Sequence, residues 1–460
     1  MPEIKVGLEC HCYLNMASTR QKLFCECAID SNAASNTNIC PICTGQPGNK
    51  PMLPNKEAVD KILAVALMLN CKINHSLIFQ RKHYSWPDLP NGYQKTMSGS
   101  YSVPVGENGN FLGIGIREVH LEEDPAKWDP LTGCVDYNRS GFPLIEIVTE
   151  PDFRNTTEVR EWLKKLITTL GYIAAVDEDA GIKSDVNVSI APKYRRVEIK
   201  NVNSFKSIIA AIEYEVKRQE EETKAGNEIA HETRAWSDEE GITIKMRSKE
   251  TAADYMFIPD PDLPIIEAHE DYIKEIEKTL PEKPHEKIEK YIKQHKIDKE
   301  DATVIASDIL LAELFEKTIK TIDPILAGRW IRRELLRVLN YNKKELKDIM
   351  LDEVHFIELL DMAQKKEITD ETAKKILEQL ITKPFSPKEY VKKEGLAAVS
   401  GEHELKKFCE EAIKENPKAV EDYKAGEEKS FNFIVGQVMR KSKGKAAPDV
   451  VNKILKEILD

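Results

Sequence analysis

A chain of 460 residues exceeds what one hydrophobic core organises, so about three domains are expected. Apolar residues make up 41% and charged residues 32%, which is ample core material, and no run of about 18 apolar residues is present to span a membrane. The formal net charge of −11 argues against a protein that binds nucleic acid over its whole surface.

The N-terminus, Met-Pro-Glu-Ile-Lys-Val, lacks a long apolar signal segment, so the chain reads as cytoplasmic with its nine cysteines reduced. An odd thiol count in that setting points to metal ligation or burial before disulfides. From Ile4 to Leu14 the even positions are all apolar, while the odd positions read Lys5, Gly7, Glu9, His11 and Tyr13. Period two places Glu9 and His11 side by side on one face of a strand and turns Cys10 and Cys12 toward the core.

Cys25 and Cys27 are followed by Cys40 and Cys43, two closely spaced thiol pairs joined by a loop. That spacing suits tetrahedral zinc, and four thiolates would close its coordination shell and make the ion structural; buried free thiols are the bland alternative. Next, Arg81-Lys82-His83-Tyr84 and Gly92-Tyr93-Gln94-Lys95 form a basic, aromatic-rich stretch.

His120-Leu-Glu122-Glu123-Asp124, with Lys127 beyond, is an acidic cluster that would read as an exposed turn if it stood alone. Glu146, however, lies in the apolar run Pro143-Leu-Ile-Glu146-Ile-Val, where an unpaired carboxylate would cost several kcal/mol. A set of buried acids of this kind is stabilised by a hard cation such as magnesium, with phosphate oxygens completing the shell. Lys183, Asp185, Asn187 and Ser189 alternate onto one strand face, and Glu198 to Ser204 ends a strand and caps a helix near Ser204. Acids for magnesium and bases for phosphate on one sheet suit phosphoryl transfer, and neither a Walker loop nor GxGxxG is present.

The pattern turns helical after Pro259-Asp-Pro261-Asp-Leu-Pro264, and a second break falls at Lys383-Pro384-Phe-Ser-Pro387. Strands followed by helices indicate an α+β catalytic unit with all-helical appendages. From Lys429 to Asp460 seven Lys/Arg stand against three Asp/Glu, a net +4 within an acidic protein. Phe433, Ile434, Val438 and Met439, then Val450, Ile454 and Leu455, read as two amphipathic helices joined by the basic turn at Lys441 to Lys445, suited to an RNA backbone.

The ordered blocks Gly7-Leu-Glu9-Cys-His11, Asn36-Thr-Asn-Ile-Cys40-Pro-Ile-Cys43, Arg81 to Gln94, His120 to Asp124, Asp136-Tyr-Asn138-Arg139 to Asp152, Asp185-Val-Asn187-Val-Ser189, Glu198 to Phe205 and Asp254 to Pro264 resemble, over essentially the full length, the B subunit family of tRNA-dependent Asp/Glu amidotransferases. The resemblance implies a glutamine-synthetase-like catalytic cradle at residues 1–290, a helical domain at 291–400 and a small YqeY-like tRNA-binding tail at 401–460. It implies that ATP and magnesium serve to phosphorylate the side-chain carboxylate of Asp-tRNA(Asn) or Glu-tRNA(Gln), which ammonia from a glutaminase partner then amidates. The implied assembly is a heterotrimer with an amidase (A) subunit and a small C subunit.

By position, Glu9, His11, Glu123 and Glu146 match the catalytic magnesium site, with Glu122 and Asp185 beside it. Lys82, Asn187 and Lys200 match phosphate or substrate contacts. The sequence departs from the family at Ile182-Lys183-Ser184-Asp185, where Leu-Arg-Cys-Asp is usual, at Pro125-Ala126-Lys127, and in a shorter loop at Asp177 to Gly181. A sister family carries a large insert after Pro-Asp-Leu-Pro; here Pro264 runs straight into helical sequence, which favours the three-subunit form. A non-catalytic zinc-containing tRNA adaptor would account for the thiols and the basic tail but leaves Glu9, His11 and Glu146 without a reason. A free-standing ligase acting on a small acid accounts for the acids but not the tail.

Overall fold

The computed structural model describes residues 3–30, 32–176, 181–246, 256–398, 402–442 and 445–459. Two compact units divide the chain, Met1–Pro284 and His285–Asp460. The first is organised by a twelve-stranded sheet whose spine runs Ile242–Lys245, Glu232–Ser237, Val197–Val202, Lys183–Ile190, Ile4–Tyr13, Pro143–Thr149, Ile114–Glu123, Tyr93–Thr96, Gln80–His83 and Met256–Pro259. Every pairing along it is antiparallel except that of Val197–Val202 with Glu232–Ser237.

The opening strand Ile4–Tyr13 sits near the middle of this sheet because its alternation serves two environments. Val6, Leu8, Cys10 and Cys12 are buried in one cluster with Ile62 and Leu63 of the helix Lys56–Met68, Trp162 and Leu166 of Thr156–Tyr172, and Ile208 and Ile212 of Phe205–Lys224. These helices cover one face of the sheet, which leaves the polar residues of the strands on the other, as an antiparallel sheet allows. Ser204 caps the helix Phe205–Lys224 as expected, its side chain accepting from Ser207 N–H.

The second unit is helical and holds two hydrophobic clusters, one drawn from Tyr291 to Val391 and one from Leu405 to Leu459. The first compact unit closes at Pro284, where the helix Pro284–His295 begins, so position 290 falls inside a helix. The prolines at 384–387 do not separate domains: Ser386 caps a short helix, Pro387–Glu394, whose Val391 belongs to the first helical cluster. Among the described residues the tail has four helices, and the two expected ones run Glu428–Lys441 and Pro448–Leu459. Ile434, Val438, Ile454 and Leu455 are buried, but Phe433 and Val450 point outward. Lys443 and Gly444 of the basic turn, Asp177 to Ala180 of the shortened loop, and Asp254 and Tyr255 lie outside the described residues. Among the described residues no helix is long and apolar enough to cross a membrane.

Candidate active site and metal centre

Strand pairing assembles the polar face. Glu9 is the cross-strand partner of Asp185, and His11 of both Glu146 and Lys183. Glu146 in turn pairs with His120, Asn187 with Glu198, Thr96 with Glu122, and Lys82 with Gln94. Direct partners in an antiparallel ladder share a face, so these pairings bring residues far apart in sequence onto one surface.

Two groups of ligand atoms emerge, His11 with Glu122 and Glu146, and Glu9 with Asp185 and Glu198, each gathered within 4.8 Å. Lys82 acts electrostatically on Glu122 and Glu146 from one side. From the other side Lys200 lies 3.9 Å from Asp185 and 3.7 Å from Glu198. Asn187 donates to Glu9 at 3.0 Å, and its own buried carbonyl oxygen has no hydrogen-bond partner among the described residues.

Glu123 departs from expectation. It immediately follows Glu122 in the strand, so alternation turns it to the opposite face, where Lys95 Nζ lies 2.9 Å away against the ring of Phe24. It is a structural ion pair, and Glu122 is the member of that dipeptide in the acid row. Asp124 is also directed elsewhere, to Tyr13 and Arg139.

The electrostatics show how crowded the acids are. Burial, reinforced by Glu146, pushes Glu122 up to about 7. Burial also raises Glu9, with Glu146, Asp185 and Glu198 adding to it and the Asn187 hydrogen bond opposing. Burial works against the charged form of Glu146, but His120, His11, Lys82 and Lys200 outweigh it and hold its pKa below the ordinary value. Burial likewise opposes protonation of His11, and Glu146, Glu122, Asp185 and Glu9 overcome it to raise the pKa. His120 is fully enclosed and its pKa falls, burial dominating over Glu146 and Glu118. A bound cation would relieve this repulsion. Octahedral magnesium with oxygen ligands at about 2.0–2.1 Å needs donors separated by roughly 3–4 Å, and both groups are compact enough to supply them.

The cysteine centre is built on a hairpin and a turn. Gln21 bridges Ala28, which folds Cys25 and Cys27 into a tight knuckle. After Cys40, Thr44 and Gly45 bond back to Cys40 and Ile42, and Gly45 holds a φ of +65°. Any Cβ there would stand 2.3 Å from the Pro90 carbonyl, so glycine is required.

The sulfurs of Cys25, Cys27, Cys40 and Cys43 all lie within 4.8 Å of one another, close to the roughly 3.8 Å edges of a zinc–thiolate tetrahedron. They can hold a metal ion. Cys40 N–H donates to Cys43 Sγ at 3.2 Å, and the buried Lys22 ammonium to the same sulfur at 3.4 Å and to the Tyr137 carbonyl at 3.1 Å. Sharing of a proton with Cys25 holds Cys43 down to about 4 and pushes Cys25 up, with Lys22 adding to the depression at Cys43. Cys10 and Cys12 stay in the core, as their strand positions require.

Three residues escaped the sequence reading. Glu198 could have been found, since it lies two positions before Lys200 and shares its strand face. His120 stands in the acidic block but had no signal distinguishing ligand from neighbour. Lys22, one of many lysines, carried none.

The stretch that carries both the acid row and the cysteine centre matches the family model of the GatB/GatE catalytic domain, over residues 4–274. The family model described as the GatB domain matches residues 313–459. Relatives described as the B subunit of aspartyl/glutamyl-tRNA(Asn/Gln) amidotransferase match from end to end. That of Methanocaldococcus jannaschii is 46% identical over 100% of this chain and 98% of its own length. That of Methanothermobacter thermautotrophicus is 46% identical over 99% and 100%. That of Methanopyrus kandleri is 43% identical over 100% and 99%. The chain belongs to the B subunit family of aspartyl/glutamyl-tRNA(Asn/Gln) amidotransferases.

Proposed function

We propose that this chain is the tRNA-binding, ATP-using subunit of an amidotransferase acting on Asp-tRNA(Asn), Glu-tRNA(Gln) or both. The observation that carries the reading is the polar face on which His11, Glu122 and Glu146 stand beside Glu9, Asp185 and Glu198, flanked by Lys82 and Lys200.

A carboxylate resists attack by ammonia because oxide is a poor leaving group. Transfer of the terminal phosphoryl group of ATP to one carboxylate oxygen releases ADP and gives an acyl phosphate; ammonia then attacks the carbonyl carbon, loses a proton, and expels inorganic phosphate. Magnesium, when bound, neutralises the charge of the transferring phosphoryl group. His11, Glu122 and Glu146 would hold it, with Glu9, Asp185 and Glu198 forming the adjoining acidic ground. Lys82 and Lys200 supply positive charge at the two margins, where phosphate oxygens would meet them. Asn187 orients Glu9.

The thiolate centre would hold zinc with no open position, a structural role. Ammonia is supplied by an amidase (A) subunit, with a small C subunit completing a heterotrimer, and the basic tail contacts tRNA. The tail has its own hydrophobic cluster, from Leu405 to Leu459, which supports that assignment. Reconstitution with the amidase partner tests the whole reading. Asparaginyl- or glutaminyl-tRNA should form only with ATP and the misacylated tRNA together. ATP consumption that is indifferent to the aminoacyl group, or binding of tRNA with no amide formed under any condition, would leave an adaptor or a different ligase.

A further inference from the structure

We propose that Lys183 is a further substrate-contacting residue, a cation that meets the phosphate groups of the nucleoside triphosphate, and that Tyr13, Asp124 and Arg139 are the positioning residues that hold it there. The inference rests on the phosphoryl-transfer reading above and adds to it a residue and the structure that supports it.

Lys183 is the direct cross-strand partner of His11, so its side chain rises from the same face as the acid row. It is exposed and forms no ion pair within 4 Å among the described residues, while its charge acts on Asp124. An exposed lysine normally has no fixed direction, since fixing its rotamers costs side-chain entropy. Here its ammonium lies 5.5 Å from the centroid of the Tyr13 ring, which offers a cation a preferred resting place.

The ring is itself held. Tyr13 O–H donates to Asp124 Oδ2 at 2.5 Å, and Arg139 Nε lies 3.0 Å from the same oxygen. Asp124 is 9% exposed, and its main chain is tied into the turn of residues 140–142 by bonds from its N–H to the Phe142 carbonyl and from Gly141 N–H to its own carbonyl. Arg139 also donates to the Pro125 and Ala126 carbonyls at 3.0 and 2.7 Å. On the far side Ser140 donates to the Cys43 carbonyl at 2.8 Å.

Thus a part-buried polar chain runs from the cysteine turn through Arg139 and Asp124 to Tyr13, and ends at the Lys183 ammonium, whose strand position is beside His11. A buried carboxylate bound to a tyrosine and an arginine is costly to assemble and adds little net stability. What it gains is a fixed ring beneath Lys183. Beside acids neutralised by a divalent cation, a point positive charge on a flexible stem suits a phosphate oxygen.

The test uses the full chain assembled with its amidase partner. Binding of a non-hydrolysable ATP analogue with magnesium and without tRNA is measured first, then the Michaelis constants for ATP and for misacylated tRNA. Lys183→Met should weaken analogue binding and raise the ATP constant about tenfold or more, while the tRNA constant stays within about twofold. Lys183→Arg should restore most of the loss. Tyr13→Phe, which keeps the ring and frees it from Asp124, should give a smaller rise of the same kind.

Because Lys183 is exposed, its replacement leaves the fold intact, and an unchanged thermal midpoint verifies this. Analogue affinity equal in the parent and Lys183→Met, or a change confined to the tRNA constant, overturns the proposal. A parent complex that forms no amide overturns the function instead, and the analogue measurement still decides the role of Lys183.

Discussion

His11 and Glu146 face each other across neighbouring antiparallel strands, with Nε2 3.8 Å from Oε1, at the point where the two halves of the acid row meet. His11 belongs to the first strand of the chain and Glu146 to a strand more than a hundred residues later, with Glu122 of a third strand gathered beside them. The contact is too long for a hydrogen bond but within ion-pair range, and with Glu122 it forms a group of ligand atoms that could hold a cation.

Replacing Glu9 by Gln or His11 by Ala should lower amide formation by roughly 100-fold or more, because each removes part of the acidic ground on which phosphoryl transfer depends. Glutaminase activity of the partner should survive. The assay is amidated tRNA formed per minute with saturating ammonium in place of glutamine. Parental rates in either variant would remove these residues from the mechanism.

Glu123 provides the contrast. Since it pairs with Lys95 on the opposite face, Glu123→Gln should reduce thermal stability while leaving magnesium affinity in the parental range. Glu122→Gln should do the reverse, weakening magnesium binding in a direct titration. If Glu123→Gln weakens magnesium binding more than Glu122→Gln, the assignment of faces is wrong.

In the magnesium-free protein the contribution of Glu122 and His11 to stability should be lost as pH rises. Glu122, raised by burial and Glu146 to about 7, and His11, raised against burial by Glu146 and its neighbours, both prefer the protonated form in the fold. For raised groups the contribution is fully present below the unfolded pKa values, about 4.5 for a glutamate and about 6.5 for histidine, and is lost as pH climbs through the folded ones. Thermal midpoints of the parent, taken between about pH 4 and about pH 9 in magnesium-free buffer, should therefore fall relative to those of Glu122→Gln as pH rises. An identical slope in parent and variant would show that Glu122 ionises freely.

Protein purified without added metal should carry about one zinc per chain at Cys25, Cys27, Cys40 and Cys43. Lys22→Met removes the ammonium beside Cys43 and should weaken zinc retention about 10- to 100-fold in a chelator competition. Freely titrating thiols in the native protein would contradict the centre itself.

Removing residues from Gly401 onward takes away the hydrophobic cluster of Leu405 to Leu459 without cutting the first helical core. The truncated protein should bind tRNA more weakly and with a shallower dependence on salt, since each lost lysine–phosphate contact no longer releases counterions. Undiminished affinity at low salt would make the tail an assembly element.

Much of this was readable from period and spacing. The strict alternation of Ile4 to Leu14 told which side of the strand Glu9 and His11 occupy, because a central strand has only two sides. The thiol spacing told the cysteine centre for a similar reason, being local. Glu123 was misread because a run of three carboxylates gives no phase of its own; only pairing with Thr96 and Leu144 identifies Glu122 as the inward member. Glu198 and His120 needed the sheet order, which places strands from different stretches of chain side by side. A boundary near residue 290 was legible from the three prolines at 259–264, while the helix Pro284–His295 that spans the position is visible only in the structure.

The alternation of the opening strand also sets a limit on how this stretch can vary in length. It is clasped on both sides, by Pro143–Thr149 and by Lys183–Ile190, so its frame cannot slide independently of either neighbour. Adding or deleting a single residue between Gly7 and Tyr13 would swap the two sets of side chains, driving a carboxylate and an imidazole against Leu63 and Trp162 and turning two thiols out to water. Substitutions here can be absorbed one at a time; a change of one in the count cannot.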